Sequence, residues 1–448
     1  MSATVNKPNF SEWSETEKFV FRLFALYIFI QALPLDAEFF TQLFSLTQHP
    51  LHYSDIFNLA HYSPKFFAGA DSFANWGIVF IIALAGAIVW SVKDKSAKEY
   101  NNLYYWVRVI VRYRLAIGII AYGFIKLYPI QSPFPSLSNL NTNYGDFTRW
   151  KLFSLSLGIV PSYQSFLGLV EIVMGVLLLF RRTAVIGAFF IVIFTGNVFM
   201  SNLAYEGGHY VYSLYLISFA LFLLVYDLQR ITSLLILQKP TFPNRFKPHF
   251  NLKWQQYSRL ALKTFIIFFF VILYGFKTRS ESKNGLTLYP QTKGLPGTAG
   301  IYNVAEFRLN DSSIAYSKTD PVRWQDVVFE KWNTLSIKSN RPVIIDSNNV
   351  DKIPVDDKER NYELEGAISR HYYSYEIDSA GHLLTLQNKN PHYKNEKLVL
   401  QYNITPAKII LSGVDQNNNE VYAVLDKINK KYLLEEVAKS GRRSKLKL

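Results

Sequence analysis

The strongest constraint on this chain is a set of seven apolar stretches, each about as long as a helix must be to cross a lipid bilayer. A hydrocarbon core of ~30 Å takes roughly 20 helical residues, and runs of that length fill much of the chain before Lys277. The clearest reads LALKTFIIFFFVILYGF. The stretches are 18–35, 74–92, 107–128, 162–180, 183–203, 210–228 and 260–276. We therefore predict a membrane α-helical bundle of about seven transmembrane helices.

Behind Lys277 the pattern changes to short runs in which apolar and polar residues alternate. Examples are HLLTLQNK, KLVLQYNI and EVYAVLD, and the turn sequences DSAGH and VDQNNNE separate such runs. Alternation with a period of two is typical of strands that bury one face. The second half of the fold class is therefore an all-β or β-rich soluble domain, either a small antiparallel barrel or a sandwich.

These patterns divide the chain into four predicted segments. Residues 1–104 form a two-helix membrane segment with an outer loop, and 105–235 form a four-helix membrane unit. Residues 236–277 form a cytoplasmic linker with the last helix, and 278–448 form the extracytoplasmic β-rich domain. The outer loops 36–73 and 129–161 mix aromatic residues with Pro, Ser and Asn, which suits re-entrant or interfacial pieces that cap the bundle.

The formal net charge of +14 comes largely from basic residues in particular loops of the predicted bundle. Basic residues gather behind the second, fourth and sixth stretches, as in KDKSAK and the pair Arg181 and Arg182. Loops rich in Lys and Arg stay in the cytoplasm. We therefore expect an inner-membrane protein with a cytoplasmic N-terminus and an extracytoplasmic C-terminal domain. Its expected partners are membrane lipids and not nucleic acid. The absence of cysteine excludes disulfides and thiolate metal sites.

One acidic residue lies in the middle of an apolar stretch. Glu171 occurs in QSFLGLVEIVMGVLLLFRR, where Gly168 and Gly175 share its helical face. A buried charge costs about 2.5–3.5 kcal/mol on insertion scales, so it needs a reason. The glycines would let a neighbouring helix approach closely, and we expect Glu171 to point toward that helix.

The third stretch is the predicted neighbour of Glu171. Its sequence RYRLAIGIIAYGFIKLYPIQ places Gly123 and Lys126 on one face with Arg112. We predict that Lys126 and Glu171 pair or share a polar pocket. The alternative is that Lys126 extends to the membrane interface while Glu171 is protonated and structural.

Further polar residues lie at the outer end of the fifth stretch and in the turn behind it. Asn197 could contribute to the pocket or to a helix contact. Glu206 and His209 lie at the outer rim, where a histidine titrates near neutral pH or anchors the helix at the interface. His49, His52 and His61 lie in the first outer loop, but Pro50 interrupts a helix there, and we predict no metal site.

The third to sixth stretches resemble the DoxX family of four-helix bacterial membrane proteins. An Arg-led helix runs into YGFIKL and is followed by GLVEIVMGVLLLFRR and two more stretches. The residues that carry the resemblance, over about residues 105–235, are Arg112 or Arg114, Gly123, Lys126, Glu171 and Gly175. The family takes its name from the small membrane subunit of a thiosulfate:quinone oxidoreductase. The resemblance therefore implies a quinone as the candidate cofactor.

Two functions are compatible with these features, and no catalytic residue can be assigned. The first is a quinone- or lipid-binding component of a membrane oxidoreductase, with its pocket around Lys126, Glu171 and Asn197. The second is a non-enzymatic membrane anchor whose outer β domain binds an envelope protein partner, since residues 278–448 contain no catalytic constellation. A transporter is a third class, but neither an inverted repeat nor a broken helix pair is evident.

Overall fold

The chain folds into two compact units. The structure is a computed structural model that describes residues 13–35, 37–66, 72–241, 246, 248, 252–283, 288–345, 354 and 356–440. One unit joins Met1–Phe124 to Leu167–Thr278, and the other joins Ile125–Phe166 to Arg279–Leu448. The second unit therefore contains the connection between the third and fourth apolar stretches together with the C-terminal domain. The boundaries of these two units differ from the boundaries of the four segments that the sequence predicts.

Each predicted apolar stretch coincides with a helix, and shorter helices lie between them. The first unit contains α1 (Glu15–Ala32), α2 (Ala37–Ser45), α3 (Tyr53–Ala60), α4 (Phe73–Lys93), α9 (Ala184–Ala204), α10 (Tyr210–Val225) and α11 (Leu228–Leu235). The second contains α6 (Leu137–Leu140), α7 (Arg149–Gly158) and α14 (Leu433–Ser440). Three helices run through the boundary between the units: α5 (Asn101–Leu127), α8 (Pro161–Leu179) and the long helix that ends in α13. This last helix consists of α12 (Lys253–Ile267), a π-helical turn (Phe268–Leu273) and α13 (Tyr274–Lys283).

Four of these helices are long and apolar enough to cross a membrane, among the residues that the structure describes. They are α4, α8, α9 and the continuous helix Lys253–Lys283. The pair α10 and α11, bent by 75°, forms a fifth if it counts as one span. The predicted number of seven is not confirmed. The helices α1 and α5 exist, but charged residues interrupt their apolar character.

The helix α1 contains a buried arginine, Arg22. Its guanidinium donates hydrogen bonds to the Tyr100 hydroxyl at 2.6 Å, to Ser91 Oγ at 2.9 Å and to the Asp94 carbonyl at 2.8 Å. Ser91 lies in α4 and Asp94 directly follows it. The charge is therefore satisfied inside the unit, and this contact fixes α1 against α4.

The C-terminal domain is a closed antiparallel β-barrel. Its strands are β1 (Gly300–Leu309), β2 (Ser312–Ser313), β3 (Asp326–Phe329), β4 (Thr334–Lys338), β5 (Arg370–Asp378), β6 (Leu383–Asn388), β7 (Lys397–Ile404), β8 (Lys408–Asp415) and β9 (Glu420–Ile428). The order is β2-β1-β3-β4-β5-β6-β7-β8-β9, and a further pairing of β1 with β9 closes the sheet. Since β2 pairs only with the end of β1, the barrel proper has eight strands. Of the two predicted alternatives, the barrel is confirmed.

Side chains fill the interior of this barrel. The inward positions alternate along each strand, as in Val327 and Phe329 of β3 and Tyr373 and Tyr375 of β5. Leu384, Leu400 and Leu425 contribute from later strands and are fully buried. Eight strands enclose a space that side chains can just fill. The described part of the barrel is therefore a packed core.

The outer face of β3, β4 and β5 is also buried, although several of its side chains are polar. Glu330, directly behind β3, is 1% exposed, and Ser336 on β4 is fully buried. The amide of Ser138 donates a hydrogen bond of 2.7 Å to the Glu330 carboxylate, and its hydroxyl donates one of 2.6 Å. The amide of Leu137 adds another at 3.1 Å. Burial raises the pKa of Glu330, and the bonds from Ser138 oppose that rise.

Other residues of the 125–166 segment join the same polar interface. The amide of Thr148 donates to the Gly366 carbonyl at 2.9 Å, and Arg370 donates to the Asn141 carbonyl at 3.2 Å. Arg370 also forms an ion pair with Asp326 on β3. The loop 129–161 therefore folds with the barrel, and its predicted role as a cap of the helical bundle stays a prediction.

A fully buried lysine lies in this interface. Lys151 on α7 donates a hydrogen bond to the Tyr362 carbonyl, and its ammonium lies 3.4 Å from the centre of the Tyr362 ring. The Tyr362 hydroxyl is 2.8 Å from Ser154 Oγ. Burial lowers the pKa of Lys151 to about 7, while the charges of Glu365 and Glu363 oppose this shift.

The stability of the second unit should therefore depend on pH above neutrality. Between the folded pKa of about 7 and the unfolded value of 10.5, the unfolded chain binds the proton that the folded chain has lost. The free energy of unfolding should then rise with pH, by at most about 1.4 kcal/mol per unit. We expect Lys151→Met to remove this slope between pH 7 and 9.5, measured as thermal unfolding of the detergent-solubilised protein. An equal slope in both proteins would contradict the assignment.

Candidate functional site

Helices α5 and α8 pack closely through glycines. A Cβ atom on Gly123 would lie 2.7 Å from Ile172 Cγ1 and 3.0 Å from the Gly168 carbonyl oxygen. A Cβ on Gly175 would lie 2.4 Å from Ile120 Cγ1. Neither position has room for a larger residue without movement of the neighbouring helix. The predicted close approach of a neighbouring helix to the face of Gly168 and Gly175 is confirmed, and Gly123 lies at this contact on α5.

Glu171 lies on this packed region and is buried. Its side chain is 3% exposed, between the glycine contacts at Gly168 and Gly175. Lys126 is also buried, at 8% exposure, but it belongs to the second unit. The pairing of Lys126 with Glu171 therefore stays a prediction.

Arg114, in the interior of α5, holds the carboxyl end of α3. Its Nη1 donates a hydrogen bond of 2.8 Å to the Ala60 carbonyl, and Nη2 donates one to the Tyr62 carbonyl. Ala60 is the last residue of α3, so the guanidinium supplies donors to carbonyls that the helix leaves without partners. A positive charge at a helix C-terminus is also favoured by the helix dipole.

The helix α3 lies inside the first unit. Most of its eight residues are buried, and Ile56 and Phe57 are at most 2% exposed. A segment predicted to be an outer loop therefore contributes to the interior, as the re-entrant alternative requires. His61 follows directly and is 8% exposed.

Two histidines and two tyrosines form a cluster beside α3, which we call the His–Tyr cluster: His61, Tyr122, His209 and Tyr212. The ring of His61 lies 4.0 Å from that of Tyr212 and 5.5 Å from that of Tyr122, measured between centroids. The Tyr122 hydroxyl lies 3.2 Å from His209 Nδ1, within hydrogen-bond distance. The cluster combines residues from α5, α10 and the segment behind α3. It provides titratable groups inside the helical unit, and the guanidinium of Arg114 lies beside it, bound to the carbonyls of Ala60 and Tyr62.

Glu206 has an unusual backbone conformation at the C-terminus of α9. Its φ of 58° lies in the left-handed region, which a non-glycine residue occupies at a cost of roughly 1–2 kcal/mol. The amide of Gly207 donates to the Asn202 carbonyl at 2.7 Å, the bond that closes a Schellman motif. The sequence places Glu where glycine is usual, although two glycines follow.

Asn197 does not join the buried face of its helix. The buried positions of α9 are Gly187, Ala188, Ile191 and Thr195, and Asn197 is exposed. Two residues turn a helix by about 200°, so Asn197 lies opposite Thr195. Within this chain, the predicted contribution of Asn197 to a pocket with Glu171 is not supported.

Arg112 lines a basic groove with residues of α9, α10 and α11.

The three histidines of the first outer loop do not all lie together. His49 lies 6.3 Å from His52 between ring centroids, whereas His61 belongs to the His–Tyr cluster. Within the described ranges, no three acidic, histidine or cysteine side chains gather as metal ligands would.

The sequence analysis singled out His61 and His209 but not Tyr122 or Tyr212. On one face of α10, the Tyr212 and Tyr215 rings stack with centroids 5.5 Å apart, and the Phe219 ring is tilted against Tyr215 at 4.5 Å. This i, i+3, i+7 spacing was a usable signal for a buried aromatic face. The position of His61 beside Tyr212 depends on how the segment behind α3 folds, and no local sequence pattern indicates that fold.

The close helix contact at Gly123 can be tested by comparing glycine-to-alanine substitutions at two positions. Gly123→Ala forces a methyl group against Gly168 and Ile172, whereas Gly196→Ala meets no atom within 4 Å. We expect Gly123→Ala to lower the melting temperature of the solubilised protein by several degrees. Gly196→Ala should leave it unchanged or raise it, since alanine favours helices by about 1 kcal/mol over glycine. Equal melting temperatures for the two variants would argue against close packing at Gly123.

No known family, no curated protein and no solved structure matches this chain.

Proposed function

We propose that this chain is a multi-pass inner-membrane protein whose helical unit binds a quinone as a component of a membrane oxidoreductase. The observation that supports the proposal best is the His–Tyr cluster. Ionisable side chains inside a membrane bundle are costly and usually serve a function. The resemblance of residues 105–235 to the DoxX family points in the same direction.

The chemistry of the cluster fits a quinone. Quinone carbonyl oxygens accept hydrogen bonds, and the side chains of His61, Tyr122 and Tyr212 can donate them. Reduction of a quinone to a quinol consumes two electrons and two protons. The hydrogen bond between Tyr122 and His209 offers a route for protons. The sequence contains no cysteine, so the electrons would come from a bound cofactor or from a partner protein.

The proposal includes a topology. Seven spans, counting α1 and α5, place the N-terminus in the cytoplasm and the barrel outside. The basic residues behind α4, α8 and α10–α11 support this orientation. The helix α3 is then a re-entrant segment, because its carboxyl end binds Arg114 within α5.

Quinone binding by the purified protein tests the proposal. Decylubiquinone should bind saturably, and His61→Phe and Tyr122→Phe should each weaken binding roughly two- to twelvefold, since one hydrogen bond contributes roughly 0.5–1.5 kcal/mol. Tyr163→Phe is the matched control because Tyr163 is 52% exposed. The measurement is a titration followed by intrinsic fluorescence, with mass spectrometry of quinone extracted from protein made in its own membranes.

Absence of co-purified quinone together with no saturable binding would overturn the proposal. Glu171→Gln provides a second readout in cells. If Glu171 lines the ligand site, electron transfer through the quinone pool should fall while the protein level in the membrane stays the same. Unchanged electron transfer would exclude Glu171 from the site.

The packed barrel supports a second candidate function. Its interior offers no space for a ligand within the described residues, because side chains fill it. A rigid barrel held by a membrane unit suits a non-enzymatic anchor whose outer domain binds an envelope protein. A stoichiometric protein partner with no bound quinone in native mass spectrometry would favour this function over the first.

A further inference from the structure

We propose that an arginine-lined groove on the helical unit binds the phosphate headgroup of an anionic phospholipid. The groove has a volume of about 1310 Å³ and lies between α5, the turn after α8, and α9, α10 and α11. All its lining residues belong to the first unit. The His–Tyr cluster does not line it, so this proposal is independent of quinone binding.

The groove carries a strong excess of positive charge. Five arginines line it, namely Arg108, Arg112, Arg181, Arg182 and Arg230, whereas Asp227 is its one acidic residue. Five positive charges against one negative charge give the lining residues a formal net charge of +4. Such an excess attracts an anion, and more strongly where the surroundings are apolar.

The single carboxylate is shared between two of these arginines. Asp227 lies 3.5 Å from Arg108 and 4.0 Å from Arg230. Arg108 also stacks on Tyr226, with its guanidinium carbon 3.4 Å from the ring centre. These contacts hold Arg108 in place, and Arg112 and Arg182 contribute further charge to the groove.

The guanidinium groups of the groove suit a phosphate ligand. The side chain of Arg230 is 39% exposed and Arg182 is an exposed residue, so a ligand in the groove can reach both. The planar guanidinium suits phosphate because it can donate two parallel hydrogen bonds.

The exposed apolar side chains along the walls of the groove indicate that its ligand is an amphiphile. Phe189 and Phe190 on α9 are 42% and 50% exposed, and Leu235 on α11 is 68% exposed. The bend of 75° between α10 and α11 turns α11 across the direction of α10. This geometry suits a helix in the membrane interface. The volume also exceeds the ~300–1,000 Å³ typical of small-ligand pockets, which leaves room for acyl chains beside the phosphate.

The same phosphate chemistry could come from a lipid or from a soluble anion. The exposed apolar walls favour the lipid, because a free phosphate would make no use of them. The predicted cytoplasmic position of the groove also places it beside the anionic headgroups of the inner leaflet. We therefore infer a phosphatidylglycerol-like ligand.

The experiment is native mass spectrometry of the full chain released from detergent after titration with defined lipids. We expect phosphatidylglycerol to be retained at least tenfold more than phosphatidylcholine. Arg112→Gln with Arg230→Gln should abolish this preference. Arg182→Gln should reduce it severalfold. Because Arg182 is exposed, that variant should fold normally.

A charge-matched control separates the groove from general surface charge. Lys93→Gln with Lys95→Gln removes two positive charges outside the groove, at exposed positions, and should leave the preference unchanged. An equal loss in this control, or equal retention of both lipids by the unaltered protein, would overturn the proposal. Displacement of phosphatidylglycerol by equimolar inorganic phosphate would instead show a site for a soluble anion, and would also overturn it.

Discussion

The carboxylate of Glu330 is the contact on which the second unit depends most. It lies on the outer face of the barrel and accepts hydrogen bonds from the amides of Leu137 and Ser138, which begin α6, and from the Ser138 hydroxyl. Loss of this carboxylate would leave the buried amide of Ser138 without its acceptor, at a cost of about 1–3 kcal/mol for a buried group. The contact joins two parts of the chain, 125–166 and 279–448, that are far apart in sequence. It therefore explains how the connection between α5 and α8 becomes part of a β domain.

The helical unit is also held together by hydrogen bonds from buried charged groups, which here are arginines. Arg22 and Arg114 each occur in a helix that is otherwise apolar, and each donates hydrogen bonds to carbonyl or hydroxyl groups of another segment. These charges lower the mean hydropathy of α1 and α5 when each helix is considered alone. In the folded unit they fix the positions of α4 and α3. The glycines of α5 and α8 add a contact of another kind, in which the absence of side chains lets two backbones approach.

The positions of the helices and the β character of the C-terminal domain could be predicted, because both are local patterns of apolar residues. A barrel and a sandwich could not be distinguished, since both require the same alternation along each strand. Closure depends on the pairing of β1 with β9, the first and last strands of the domain. For the candidate site, the glycine face around Glu171 was predictable from helical spacing. The His–Tyr cluster was not, because His61 reaches Tyr122 through the fold of an intervening loop.

The sequence by itself determined the two halves of this protein, because hydrophobic periods of 3.6 and 2 are properties of the local backbone. It also determined which helix face carries Gly168, Glu171 and Gly175. Only the tertiary structure decided which polar groups are buried. Ser336 alternates with apolar neighbours like any exposed strand residue, yet the 125–166 segment covers it, while Asn197 stays on the surface. The physical reason is that burial depends on which distant segment packs on a face, and the periodicity of that face does not specify its partner.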